Sequence, residues 1–270
     1  MRLFETEVDY AEAGISHLRL NVFFTPSSVM VEEPAINHIY IVIDVIRATT
    51  TLAVIFEQGA ARVLVAETLE QAQAAAQKLP GWLLCGERNV KPLPGFDYGN
   101  SPVQFSQLDL KDRELILTTT NGTRAFYACP EQSIRIAGSF YNAHAVTARA
   151  LELAQRYKSG ISLLCSGEYG LFALDDTVCA GYLALELLRQ YEAYPHAEPL
   201  LIDESIYAAI TLYNAYPLAK LIEHSQSAQS VINAGLPDDV TFCLQKDGGT
   251  SVPLVVRRDE GTGLLLLESS

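Results

Sequence analysis

Short apolar runs alternate with helical patterns along most of this chain. The run Ile39–Ile43 consists of β-branched and aromatic residues, which predicts a strand buried on both faces. Over residues 48–58 the apolar positions repeat with helical spacing, and Gly59 is typical of a helix C-terminus. Residues 39–59 therefore predict a strand, a turn and a helix in succession.

The same alternation continues to about residue 190. Further strands are predicted at residues 62–66, 82–85, 114–117, 134–137 and 161–165, and further helices at about 68–79, 142–157 and up to about 191. After them come two or three predicted helices at 203–233 and short strands at 240–244, 252–257 and 264–267. Strands that alternate with helices form parallel sheets covered on both faces. The predicted fold class is therefore α/β, with a mostly parallel or mixed sheet, three α/β/α layers and antiparallel C-terminal strands.

The start of the chain and its length bear on domain organisation. Two short strands are predicted near residues 3–8 and 18–24. A length of 270 residues allows one large α/β domain or two small ones. We predict a single domain over residues 1–270, with a possible subdomain boundary in the proline-containing linker at 192–200.

Composition and charge exclude several classes of protein. The formal net charge is −13, whereas nucleic-acid binding needs a basic face. No apolar run approaches the roughly 20 residues that span a bilayer, and no signal-peptide pattern is present. The 5 cysteines form no Cys-x-x-Cys pair, which argues against a zinc site and a disulfide framework. We expect a cytoplasmic protein that binds neither nucleic acid nor membranes and forms a homodimer.

Polar clusters follow four of the predicted strands, at residues 44–51, 86–88, 118–124 and 166–176. The carboxyl ends of parallel strands share one rim of the sheet, where ligands bind in open α/β folds. We therefore expect these clusters to meet. The rim would carry carboxylates and arginines, namely Asp44, Glu87, Glu168, Asp175, Asp176, Arg47, Arg88 and Arg124.

These side chains suit a phosphorylated ligand and a divalent cation. Oxygen ligands suit Mg²⁺, and arginine forks with the N–H groups of glycine-containing turns suit phosphate. Asp44 would then hold the cation and Arg47 the phosphate. The alternative is that Asp44 caps the helix and Arg47 is a surface charge. The sequence contains no P-loop, His-Glu-x-x-His or Gly-x-Ser-x-Gly motif.

Taken together, the clusters resemble the motifs of the 2-phosphosulfolactate phosphatase family. The matching segments, in family order, are IDVIRATTT at 43–51, GER at 86–88, GFDYGNSP at 95–102, LTTTNGTRA at 117–125, GSFxNA at 138–143 and FALDDTxCAG at 172–181. The resemblance covers most of the chain. It implies a Mg²⁺-dependent phosphatase that converts (2R)-phospho-3-sulfolactate to 3-sulfolactate and phosphate, a step of coenzyme M biosynthesis.

The resemblance also implies roles for individual residues. We predict that Asp44, Arg47 and Asp176 are catalytic and that Asp44, Glu87 and Asp176 hold Mg²⁺. The predicted substrate-binding residues are Arg47, Thr49, Thr50, Arg88, Thr120, Asn121, Gly122, Thr123, Arg124 and Ser166. The nucleophile would be a metal-bound water or Asp44 itself. Arg88 or Arg124 would hold the second anionic group of the substrate, or else be a surface salt-bridge residue.

Two departures from the family pattern affect these expectations. The family usually continues Gly-Glu-Arg with glycines, whereas this chain has Asn89 and Val90. Near residues 225–235 the resemblance implies a His-Gly-Arg-like segment, but residues 225–230 are SQSAQS. Two alternatives follow: a phosphatase of another small phosphorylated hydroxy acid, or a non-catalytic anion-binding protein that kept the pocket.

Overall fold

A computed structural model describes residues 18–31, 36–193 and 199–270. Within these ranges, 11 strands form one sheet: β1 (Leu18–Phe23), β2 (Ile39–Ile43), β3 (Arg62–Ala66), β4 (Leu83–Arg88), β5 (Lys91–Pro92), β6 (Glu114–Thr118), β7 (Ile134–Gly138), β8 (Ile161–Cys165), β9 (Leu200–Ile202), β10 (Pro253–Arg258) and β11 (Leu265–Ser269). The α-helices are α1 (Ala48–Glu57), α2 (Leu69–Lys78), α3 (Pro102–Phe105), α4 (Gly122–Ala128), α5 (Ala143–Tyr157), α6 (Leu174–Glu192), α7 (Glu204–Ala215), α8 (Leu218–His224), α9 (Gln226–Asn233) and α10 (Pro237–Cys243). A 3₁₀ helix spans Pro26–Val31.

The sheet is mixed, in the order β5-β4-β6-β3-β11-β10-β7-β2-β8-β1-β9. Strands β4, β6 and β3 form one parallel run, and β7, β2, β8, β1 and β9 form another. The antiparallel pair β10–β11 joins the two runs and is antiparallel to both of its outer neighbours. Three antiparallel steps therefore separate the runs, so their strands have opposite directions.

Helices cover both faces of the sheet. Helices α1, α3 and α4 pack on one face. On the other face, α5 and α6 pack on β1, β2, β7 and β8, and α2 packs on β3 and β6. Strand β2 is buried throughout because its odd-numbered residues face α5 and α6 and its even-numbered residues face α1. The predicted α/β class, with helices on both faces and antiparallel C-terminal strands, is confirmed.

Two local predictions need correction. Residues 240–244, predicted to form a strand, belong mostly to α10. Pro237 at the first turn, followed by Asp238 and Asp239, favours a helix start, and this outweighs the strand-like alternation that follows. The predicted loop at 89–102 contains the short strand β5, paired with β4, and leads into α3.

Some predictions fall outside the described residues. These are the strand at residues 3–8 and most of the linker at 192–200. The single domain over 1–270, with its possible boundary, stays a prediction. No helix in the described ranges is long and apolar enough to cross a membrane.

A chain of polar side chains runs from His38, the residue before β2, to the neighbouring strands β8 and β1. His38 Nε2 lies 2.7 Å from Ser162 Oγ, and this hydroxyl donates to Asn21 Oδ1 at 2.7 Å. Burial, and then the positive charge of Arg19, lowers the pKa of His38 from 6.5 to about 4. The folded protein therefore disfavours the protonated imidazole.

We expect this histidine to make stability depend on pH. Because the folded pKa lies below the unfolded value, the unfolded state binds more protons between pH 6.5 and 4, and stability falls as pH falls through this window. The lowered pKa of His38 changes the free energy of unfolding by up to about 3 kcal/mol over this window. In urea unfolding, the free energy of unfolding should fall less between pH 7.5 and pH 4.5 for His38→Gln than for the wild type. The exposed His224→Gln is the control, and an equal loss in all three proteins would contradict this role of His38.

Candidate active site

The four polar clusters meet at one cavity of about 450 Å³. Each cluster contributes to its wall, and α9 with the residue after it closes the other side. The lining residues are Asp44, Ile46, Arg47, Glu87, Asn89, Val90, Lys91, Asn100, Thr119, Thr120, Asn121, Glu168, Tyr169, Gln226, Ser227, Ser230, Val231, Asn233 and Ala234. The predicted meeting of the clusters is thus observed.

The clusters meet for a reason other than the one expected from a parallel sheet. Strands β4 and β6 run opposite to β2 and β8, so in a flat sheet their carboxyl ends would lie at opposite edges. Neighbouring strands rotate by about 20–25°, and five steps separate β6 from β2. The accumulated rotation of roughly 100–125° turns the two sets of ends toward each other.

Asp44 lies at the end of β2, on the cavity wall. Its Oδ1 accepts the N–H of Ala48 at 3.1 Å, while Oδ2 accepts no hydrogen bond from the described residues. The turn of Gly122 lies against this carboxylate, because a Cβ at position 122 would be 2.6 Å from Asp44 Oδ2 and 2.5 Å from the Ala48 Cβ. Only glycine allows this close approach. The free oxygen is therefore held in place and available to a ligand.

Burial raises the pKa of Asp44 to about 7. The hydrogen bond from Ala48 opposes this shift, and the negative charges of Asp175, Glu168 and Glu87 add to it. A carboxylate so placed gains from a nearby cation, which would relieve both the desolvation and the repulsion.

Two glutamates share the cavity with Asp44. Glu87 accepts the N–H of Thr120 at 2.7 Å on Oε1 and that of Val90 at 2.8 Å on Oε2. Glu168 Oε2 accepts the Asn121 side chain at 3.1 Å and the Ser227 hydroxyl at 3.2 Å. Burial, and then the charge of Glu87, raises the pKa of Glu168. Both carboxylates are therefore fixed by neighbours and act on each other electrostatically.

Arg47 is held by a buried ion pair. Its Nη1 donates to Asp239 Oδ2 at 2.8 Å, and both side chains are nearly inaccessible to solvent, at 3% and 2%. Arg47 Nη2 donates to the Val90 carbonyl at 2.9 Å. Ser101 Oγ donates to the other Asp239 oxygen at 2.6 Å. A guanidinium has five N–H donors, so Arg47 keeps donors for a ligand while Asp239 fixes its orientation.

Two unpartnered polar atoms belong to residues of the cavity wall. Thr120 Oγ1 and Asn100 Oδ1 are buried and have no hydrogen-bond partner among the described residues. A buried polar group without a partner costs about 1–3 kcal/mol, and such groups at a cavity point to a ligand or a water. Both atoms lie in residues of the cavity wall, and neither has a partner among the described residues.

Several predicted site residues support the wall from behind. Thr49 Oγ1 donates to the Asp44 carbonyl at 2.9 Å, and Thr50 Oγ1 donates to the Val45 carbonyl at 2.9 Å. Both threonines are fully buried and hold the β2–α1 turn. Thr123 exchanges hydrogen bonds with Thr119 in the same way. None of these three hydroxyls is in the cavity lining.

Asp176 also lies behind the cavity wall. Its Oδ1 accepts the N–H of Val45 at 2.9 Å, and its Oδ2 accepts the Ser166 hydroxyl at 3.0 Å and the Gly167 N–H at 3.1 Å. Burial, and then Asp175, raises the pKa of Asp176. The structure thus places Glu168 in the cavity and Asp176 and Ser166 beneath it, while Asp44 and Glu87 lie where predicted.

The two arginines expected to hold a second anionic group point elsewhere. Arg88 donates to the Glu87 carbonyl at 2.7 Å and to Thr118 Oγ1 at 2.9 Å. Arg124 is exposed, and neither arginine is in the cavity lining.

Sequence reasoning missed three contributors to this site, Asn100, Lys91 and Asp239, and it identified the start of α9 only as a departure from the family pattern. Asn100 lies in a recognised motif but was assigned no role, and Lys91 lies in a predicted loop. Asp239 and the residues of α9 are about 180 positions or more from Asp44 in the chain, as the Arg47–Asp239 separation of 192 positions illustrates. No sequence signal links such distant positions. The departure at 225–230 proves to be part of the cavity wall.

The donor set fits Mg²⁺. Within the described residues, no three His, Cys, Asp or Glu side chains form a group able to hold a metal ion by themselves. Mg²⁺ is usually bound by one or two carboxylates, with water and substrate phosphate completing its coordination. Asp44, Glu87 and Glu168 line one cavity and repel one another, which suits an ion held in that way.

Comparison with known proteins relates this site to a family. Residues 24–258 match the family model described as 2-phosphosulpholactate phosphatase. A relative from Pseudothermotoga lettingae is 35% identical over 238 residues, covering 88% of this chain and 96% of its own. One from Deinococcus radiodurans is 34% identical, covering 82% and 88%, and one from Carboxydothermus hydrogenoformans is 32% identical, covering 94% and 98%. All three carry the name "Probable 2-phosphosulfolactate phosphatase". The match confirms the resemblance seen in the motifs: the chain belongs to the 2-phosphosulfolactate phosphatase family.

Proposed function

We propose that this protein is a Mg²⁺-dependent phosphatase that hydrolyses (2R)-phospho-3-sulfolactate to 3-sulfolactate and phosphate. The family and the names of the relatives support the reaction and its substrate. The observation that carries the proposal is one cavity that brings together Asp44, Glu87, Glu168 and Arg47 with the unpartnered Thr120 hydroxyl. Coenzyme M biosynthesis, a cytoplasmic location and a homodimer stay predictions.

The cationic and hydroxyl groups of the cavity would receive the phosphoryl group. Arg47, oriented by Asp239, would donate its remaining N–H groups to phosphoryl oxygens, and Thr120 Oγ1 would donate a further hydrogen bond. Phosphoryl transfer depends mainly on positioning and on stabilising charge at these oxygens. Asn121, whose amide is held by Glu168 and Tyr169, would form the adjoining wall.

Asp44 would act at the reacting centre. Its free Oδ2 either takes the proton of a water that attacks phosphorus or attacks phosphorus itself and forms an aspartyl-phosphate that water then hydrolyses. In both routes the bond between phosphorus and the substrate oxygen breaks. That oxygen takes a proton, from protonated Asp44 or solvent in the first route and from solvent in the second, and leaves as the hydroxyl of 3-sulfolactate. The unpartnered Asn100 Oδ1 would accept a hydrogen bond from the attacking water.

Mg²⁺ would be held by one or two of the carboxylates that line the cavity, Asp44, Glu87 and Glu168, with water and the substrate phosphate as further ligands. Asp176, predicted as a ligand, lies behind the wall. When bound, the ion supplies positive charge to the phosphoryl oxygens. In the absence of a cation, these carboxylates would repel an anionic substrate. Glu87 would also keep Thr120 in place, because its side chain accepts the backbone N–H of Thr120.

One observation favours a second candidate substrate. The cavity wall formed by α9 carries Gln226, Ser227 and Ser230, which are neutral, where the resemblance implies an arginine. A neutral wall suits another small phosphorylated hydroxy acid with fewer negative charges, such as 2-phospholactate.

Phosphate release from phosphosulfolactate and from 2-phospholactate, each with Mg²⁺ and with EDTA, tests the proposal. We expect release that requires Mg²⁺ and favours phosphosulfolactate. Release from 2-phospholactate alone would keep the reaction and change the substrate. No release from either compound by folded protein would contradict a phosphatase and favour the anion-binding alternative.

A further inference from the structure

Lys91 carries the uncompensated positive charge of the cavity. Arg47 and Lys91 are the cationic side chains among the lining residues. Arg47 is neutralised by Asp239 at 2.8 Å. The Lys91 ammonium group, in contrast, makes no ion pair or hydrogen bond with the part of the chain that the structure describes. Among the described residues, the exposed Lys91 is thus the cation of the lining that a second acidic group on a ligand could bind without displacing an ion-pair partner.

Apart from Arg47 and Lys91, the cavity lining within the described ranges contains no cationic side chain. The α9 wall contributes Gln226, Ser227, Ser230 and Asn233, none of which is charged. The opposite wall contributes carboxylates, which would repel an acidic group. An acidic arm of the substrate is thus directed toward Lys91, the first residue of β5 after the β4–β5 turn.

The backbone of this turn has an unusual conformation. Asn89 and Val90 have φ angles of 52° and 70°, in the left-handed region. Asparagine tolerates this region, whereas a β-branched residue there is disfavoured. The glycines that the resemblance implies at these positions would adopt it without strain. Strain of this kind persists where the surroundings enforce it, often at functional sites.

Charged residues of the cavity enforce the conformation. Glu87 Oε2 accepts the Val90 N–H at 2.8 Å, and Arg47 Nη2 donates to the Val90 carbonyl at 2.9 Å. The Tyr169 hydroxyl also donates to Asn89 Oδ1 at 3.1 Å. The turn is therefore fixed at both residues that precede Lys91, which holds the lysine at the cavity.

We propose that Lys91 is the specificity residue that binds the acidic arm of the phosphoester substrate. This inference rests on the proposed function and adds to it the residue that distinguishes an acidic arm from a neutral one. Glycerol 2-phosphate provides the comparison, because it keeps the three-carbon skeleton but has a hydroxymethyl group in place of the carboxylate and a hydroxyl group in place of the sulfonate.

Steady-state kinetics of the full chain with both substrates, for Lys91→Met and Lys91→Arg, test the proposal. The substrate preference is the kcat/KM for phosphosulfolactate divided by the kcat/KM for glycerol 2-phosphate. Because a hydrogen bond between charged groups contributes strongly to binding, we expect Lys91→Met to lower this preference by about 10- to 100-fold, mainly through KM. Lys91→Arg should restore most of this preference. Lys111→Met, at an exposed lysine outside the cavity, is the control.

A binding measurement separates this inference from the proposed function. Calorimetric titration with 3-sulfolactate needs no turnover, and we expect Lys91→Met to weaken its binding by about tenfold or more. If Lys91→Met binds 3-sulfolactate more weakly but the wild type releases no phosphate, the role of Lys91 in binding is supported and the proposed phosphatase activity is overturned. An unchanged substrate ratio and unchanged 3-sulfolactate binding in folded Lys91→Met would overturn the role of Lys91.

Discussion

We expect Asp44→Asn to lower kcat/KM for phosphate release by about 10²–10⁴-fold. Asparagine keeps the size of the side chain and the oxygen that accepts the Ala48 N–H. It removes the negative charge, the basicity and the free carboxylate oxygen that would hold the cation or act on the reacting water. Phosphate release with saturating Mg²⁺ measures the effect, and the exposed Asp112→Asn is the control.

A stability measurement shows whether loss of activity reflects loss of fold. Because the folded pKa of Asp44 is raised to about 7, its ionisation destabilises the folded state as pH rises from 3.8 to 7. At pH 8 in EDTA we therefore expect Asp44→Asn to be more stable than the wild type, by roughly 1–3 kcal/mol in urea unfolding. A variant with full activity would contradict the assignment of Asp44, whatever its stability.

The second large effect concerns the buried pair of Arg47 and Asp239. We expect Asp239→Ala to lower the free energy of unfolding by about 3–5 kcal/mol, because Arg47 is then buried without a counter-charge. Ser101 also loses the acceptor of its hydroxyl. We expect phosphate release to fall as well, since Arg47 loses the contact that orients it. Urea unfolding and steady-state kinetics measure the two effects.

A double variant separates the structural effect from the functional one. Replacing a buried ion pair with apolar residues is often close to neutral for stability, so Arg47→Met/Asp239→Leu should recover most of the lost stability. It should recover none of the activity, because the guanidinium is absent. Asp238→Asn, at the exposed neighbour of Asp239, is the control. Equal stability of Asp239→Ala and the wild type would contradict the role of the pair, as would activity in the double variant.

Local sequence patterns were sufficient for most of the elements. Strand β2 and helix α1 followed from a run of β-branched residues and from helical spacing, because these patterns reflect which residues a strand or helix can bury. The strand prediction for residues 240–244 is wrong because a short alternating run is compatible with the residue spacing of a helix as well as with that of a strand. Pro237 and the aspartates after it favour the helix, and Val240 and Cys243 are buried on its inner face.

The candidate site was predictable in part. Asp44, Glu87 and Asn121 follow strands within recognisable motifs, and all three line the cavity. Their chemical type and their place at strand ends are local properties. Thr49 and Asp176 carry the same chemistry in the same motifs, yet both lie behind the wall, where they hold backbone N–H and C=O groups of the β2–α1 turn. Motif membership does not distinguish a residue that contacts a ligand from one that supports the turn.

The sequence by itself therefore determined the α/β class, the order of most elements, the acidic and arginine-rich clusters and the family. These depend on side-chain periodicity, composition and short motifs, which are all local along the chain. Only the tertiary structure decided that Asp239 orients Arg47, that α9 forms a neutral wall and that Lys91 lines the cavity. Such contacts depend on the twist of a mixed sheet and on packing between segments as far apart as 192 positions, which no local pattern encodes.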